Sequence, residues 1–121
     1  TDSRHNKYGI NAVALMEIKE PPDSRRLQII PVVKYAAERR IAKGKPDYWD
    51  YATRLELAIL DKDKYSAFNY LAKVLSLLRE KWEVETTLRN LRTIREAPQN
   101  HYEKVTWTIK IEEAISKHKI I

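Results

Sequence analysis

The chain has 121 residues, 43% hydrophobic and 33% charged, with a net charge of +6, enough for one domain with its own core. It has no cysteine and two glycines, which excludes disulfides and thiolate metal sites and argues against a hairpin-rich β fold, whose turns need positive φ. No apolar run reaches the roughly 18 residues that a membrane span requires.

The first predicted helix runs from about Ile10 to Lys19, with Gly9 ahead of it and Ile10, Val13, Ala14 and Met16 as its apolar positions. Pro21-Pro22 makes a turn, since the ring forbids continuation of the helix. Asp23 or Ser24 is then placed to cap a second helix that runs to Lys43, with Leu27, Ile30, Val33, Ala37 and Ile41 as its stripe. Pro31 either kinks this helix or marks its start. Gly44 supplies a left-handed stop.

A third helix covers about Asp47 to Leu60, capped by Asp47, with Asp50 and Arg54 spaced to pair. It is so apolar that it must be sandwiched between neighbours. The break Asp61–Lys64 is short, so the fourth helix, about Tyr65 to Trp82, packs antiparallel to the third. A fifth runs from about Glu83 to Glu96 and is stopped by Pro98. A sixth spans about Tyr102 to His118; Val105–Ile111 also alternates like a strand, but no other segment offers it a partner. The expected fold is all-α, a tetratricopeptide-like array of about three antiparallel helix pairs whose starts recur at about 37 residues.

The charge excess lies in the first third. Residues 1–45 hold ten Lys/Arg against five Asp/Glu, and residues 46–97 hold nine of each. Arg25, Arg26, Lys34, Arg39, Arg40, Lys43 and Lys45 form either a solvated face or a surface for an acidic protein or nucleic acid. Glu56 stands between Leu55 and Leu57, where an unpaired carboxylate is costly. It either sits at a helix edge or is paired by Arg89 or Arg92. Trp49, Trp82 and Trp107 occur once per pair and suit packing between pairs.

Nothing points to reaction chemistry. His5, His101 and His118 are scattered, and no phosphate loop or nucleophile elbow is present. Glu17, Glu20, Asp23, Asp61 and Asp63 do not fit a calcium loop. No cofactor and no metal are therefore expected. The first helix of each pair in such arrays lines the concave face, so Asn11, Arg54, Arg89, Asn90 and Arg92 are the candidate partner-binding residues of one groove, suited to a carboxylate or acidic peptide. The competing reading is a solvated stripe with internal pairs to Asp50, Glu85 or Glu96.

Tyr8-Gly9-Ile10-Asn11-Ala12, Asp47-Tyr48-Trp49-Asp50, Ala58-Ile59-Leu60 with Asp63, Trp82, Thr86 to Ile94 and Trp107 together resemble the TRAF-binding domain of the MAP-kinase-kinase-kinases, the central regulatory region of the apoptosis signal-regulating kinases, and its bacterial relatives. The order and spacing of these pieces agree over nearly the whole chain, and residues 98–121 match loosely. The resemblance implies a helical, tetratricopeptide-like regulatory region without enzymatic activity. The chain itself has no kinase motif, and TRAF binding is not carried over to it.

The expected function is a non-catalytic protein–protein interaction module that presents a groove to a peptide segment or a neighbouring domain. The alternatives are nucleic-acid binding through residues 25–45 and a structural oligomerisation unit. The chain starts without Met or a signal-peptide core, so it reads as a single-domain piece of a longer cytoplasmic protein with no membrane contact. Partner identity and oligomeric state are not encoded in any motif.

Overall fold

A computed structural model describes residues 3–17, 19, 21–96 and 106–118, with side chains from Ile10 onward. The described residues form six helices and no strand: α1 (Ser3–Glu17), α2 (Arg26–Ala42), α3 (Tyr48–Leu60), α4 (Lys64–Leu77), α5 (Lys81–Arg95) and α6 (Trp107–Ser116). The sixth helix is thus a helix from Trp107 on, and the strand-like alternation there is overridden. Its expected start at Tyr102 lies outside the described residues.

The middle pair is sharply delimited by its sequence. Asp47, in extended backbone, accepts a hydrogen bond from the Asp50 amide at 3.2 Å, and the Asp50 carboxylate accepts from the Asp47 amide at 2.9 Å. This reciprocal box satisfies two of the amides that open every helix. Asp63 caps α4 by accepting from the Ser66 amide at 3.1 Å and the Ser66 hydroxyl at 2.7 Å. Between them, Lys62 takes a positive φ of 56° to reverse the chain. Gly44, with φ of 75°, ends the helix before them, as its lack of a Cβ suggested.

Several expected limits move. α1 begins before Gly9, which lies inside it. Asp23 does not cap α2. Its carboxylate accepts from the Arg25 amide at 3.0 Å, two residues on, and so shapes the turn; Arg25 precedes the helix without any side-chain cap. Pro31 neither starts nor ends α2, but lies within it on the exposed side. Leu27 is exposed, and the buried residues of α2 are Val33 and Ala37. Leu27 lies six residues before Val33, which turns it about 120° away at 3.6 residues per turn. α4 ends at Leu77, and α5 starts at Lys81 after an extended Leu78. Glu83 explains the break: its carboxylate accepts the Arg79 and Glu80 amides, each at 3.1 Å, and so opens a new helix.

α3 is the hub. It packs against α1, α2, α4 and α5, and ten of its residues, from Tyr48 to Ile59, are buried. This is the sandwiching that its composition demands. Trp49 lies 5.6 Å from Trp82 between ring centroids and Phe68 lies 6.2 Å from Trp107, so the tryptophans join α3 to α5 and α4 to α6. The Tyr48 hydroxyl donates to the Glu83 carbonyl at 2.8 Å, tying the start of α3 to the start of α5, and burial pushes the phenol's pKa well up. A smaller cluster of Ile10, Val13, Val33 and Leu57 joins α1, α2 and α3. α6 lies on α5 and α4, and α1 also touches α5 directly.

Candidate partner-binding surface

α5 is divided lengthwise by its own spacing. Val84, Thr87, Leu88, Leu91 and Ile94 recur every three or four residues and face the core. Glu85, Arg89, Arg92 and Glu96 therefore face outward. With Leu88 and Thr93 they line a shallow cleft of about 430 Å³. A second hollow of about 640 Å³ lies on α4, lined by Lys64, Tyr65, Phe68 and Asn69. It is the larger of the two, but it has one cation where the α5 cleft has two guanidinium groups. Sequence reasoning passed over it, although Tyr65 and Phe68 at helical spacing beside Lys64 were a visible signal.

The arginines differ in how far they are committed. Arg95 donates from Nε to Glu112 at 2.7 Å, and that carboxylate holds its pKa above the usual arginine value. Arg92 reaches the same Glu112 at 3.8 Å and stays largely exposed. Arg89 makes no hydrogen bond or ion pair through its side chain among the described residues. Arg54 is placed elsewhere: it donates to the Tyr70 hydroxyl at 3.2 Å, lies 5.0 Å from that ring's centroid and meets Glu38 at 3.4 Å. Its expected partner Asp50 instead takes Arg40 at 3.0 Å.

Asn11 and Asn90 come together, with Asn90 donating through Nδ2 to Asn11 Oδ1 across the α1–α5 contact. Asn90 is buried there. Beside it lies Glu56, fully buried, and neither expected explanation of it holds: it is not at an edge, and Arg89 and Arg92 point the other way. Burial pushes its pKa up to about 8, and the Asn90 amide offsets only part of this without closing a well-formed hydrogen bond to either oxygen. The hydroxyls of Thr53 and Thr87 are also buried without partners among the described residues. Glu56 is therefore held as a neutral acid, which avoids the cost of a buried charge.

Among the described residues no group of three or more histidines and carboxylates could hold a metal, and no helix is long and apolar enough to cross a membrane. His5 and His101 lie outside the described side chains. No curated protein and no solved structure matches the chain. The sequence family described as the MAP3K TRAFs-binding domain matches residues 2–115. That match covers nearly all of an all-helical chain, and the chain belongs to the MAP3K TRAFs-binding domain family, a family of protein-interaction modules.

Proposed function

We propose that the chain is a non-catalytic, tetratricopeptide-like module of a signalling-type protein that holds an acidic peptide segment on the outer face of α5. The observation that carries this reading is the cleft in which Arg89 and Arg92 stand one turn apart beside the apolar Leu88. Guanidinium groups at that spacing suit a carboxylate pair, and the nearby apolar floor suits one anchoring side chain. In this reading Asn11 and Asn90 act indirectly, by fixing how α5 stands against α1. Arg54, committed to Glu38 and Tyr70, steadies α2 and α4 behind the surface.

A displayed library of short random peptides tests it. Captured sequences should be rich in Asp and Glu around an apolar residue. Arg89→Glu with Arg92→Glu should weaken them by roughly tenfold or more, while far-UV helicity stays unchanged because both side chains are exposed. Capture that survives the double reversal rules this surface out. Nucleic-acid binding through residues 25–45 has less support, since Arg25, Arg26 and Arg40 are engaged by Asp23, Glu17 and Asp50. A steep loss of DNA or RNA affinity with salt would favour it instead.

A further inference from the structure

α2 leaves more large apolar side chains in solvent than any other helix among the described residues. Leu27, Val32 and Tyr35 are 62%, 67% and 61% exposed, whereas α1, α4, α5 and α6 leave one such side chain each. Leu27, Pro31 and Tyr35 follow at four-residue steps, all exposed, with Val32 beside them. They form a ridge opposite the buried Val33 and Ala37. A ridge of this kind, spanning about 12 Å at 1.5 Å per residue, is what the groove of another helix accepts.

The charges around the ridge decide what can cover it. Lys34, Arg39 and Lys43 border it, and Arg39 donates to the Tyr35 hydroxyl at 3.2 Å. Glu38 is the acidic residue of α2, and Arg54 draws it away at 3.4 Å. Arg25 and Arg26 do not add to this border, because Asp23 and Glu17 hold them at 2.6 and 2.7 Å. A second copy of the chain would set these cations against one another. An occupant with acidic flanks would pair with them.

The geometry points to the outer face of α2 as a docking site for an amphipathic helix of a partner protein, its apolar stripe lying on Leu27, Val32 and Tyr35 and its acidic flanks facing Lys34, Arg39 and Lys43. This site is separate from the α5 cleft and uses a different mode of recognition, a folded helix laid on a ridge.

Two synthetic helical peptides with the same leucine stripe, one flanked by Glu and one by Lys, serve as probes in fluorescence anisotropy with the whole chain. The Glu-flanked peptide should bind roughly tenfold or more tightly than the Lys-flanked one. Leu27→Asp and Tyr35→Asp should each cut that binding by roughly tenfold or more, and Lys34→Glu with Arg39→Glu should invert the preference. Far-UV circular dichroism should be unchanged, because Leu27, Tyr35 and Arg39 are exposed and Lys34 is only partly buried. Arg89→Glu with Arg92→Glu should leave the capture intact; its loss in that variant would place the peptide on α5 and overturn the assignment. Equal binding of the two peptides would overturn it too. So would a concentration-dependent dimer by light scattering that Leu27→Asp dissolves, since the occupant would then be a second copy.

Discussion

Glu56 gives the folded chain a pH dependence of a particular sign. Its folded pKa of about 8 stands above its ordinary 4.5, so between those values the folded state binds a proton that the unfolded chain has released. The stability this group contributes is complete below about pH 4.5 and is lost as pH rises through about 8, with a limiting slope of about 1.4 kcal/mol per pH unit. Glu56→Gln keeps the shape of the neutral acid and removes the slope. Urea midpoints measured from about pH 5 to about pH 9 should show the wild type falling relative to the variant; parallel profiles would mean that Glu56 is ionised in the fold. The oddness of Glu56 was legible from its apolar neighbours, but its environment was not. The sequence offered Arg89 or Arg92 as its partner, whereas the phase of α5, set by Leu91 and Ile94, places Thr87 and Asn90 inside and Arg89 and Arg92 outside.

The N-terminus of α3 concentrates a helix cap and an ion pair on one carboxylate. Asp50 is fully buried, accepts from the Asp47 amide at 2.9 Å and holds Arg40 of α2 at 3.0 Å. Asp50→Ala removes both and takes from the partly buried Arg40 its buried carboxylate, so we expect a loss of roughly 3 kcal/mol in urea unfolding. Asp47→Ala removes one accepted hydrogen bond and should cost about 1 kcal/mol. Near-equal effects would show that the Arg40 pair adds nothing. Element limits were readable where a short polar side chain closes on an amide three residues on, as at Asp47 before α3 and Asp63 before α4, or where Gly44 takes positive φ. They were not readable at the start of α1, where Gly9 looked like a boundary, or at the α4–α5 junction. There Glu83 caps from inside the new helix, and the apolar spacing runs on as if unbroken. Of the candidate residues, Arg89 and Arg92 lie on the outer side of α5 that its apolar spacing defines, whereas the burial of Asn90 against Asn11 and the engagement of Arg54 by Glu38 and Tyr70 depend on packing between helices that no local pattern names.

Across the fold, protection should follow the hub. α3 touches four helices, whereas α6 rests on two and α2 turns a whole face to solvent. Opening α3 therefore requires the others to separate, while α6 can detach alone by breaking its packing and the Arg95–Glu112 pair. In native-state hydrogen exchange the α3 amides should exchange last, at the free energy of global unfolding, and those of α6 and the uncapped first turn of α2 should exchange first. The direct meeting of α1 and α5 adds a second expectation. Asn90→Ala leaves Asn11 facing a gap and deletes the side-chain hydrogen bond that joins the described residues of that contact. Exchange should then quicken in α1 and α5 together while α4 and α6 keep their protection. Acceleration confined to α5 would mean that apolar contacts alone hold α1, and the asparagine pair would lose its place as the clasp that orients the arginine face of α5.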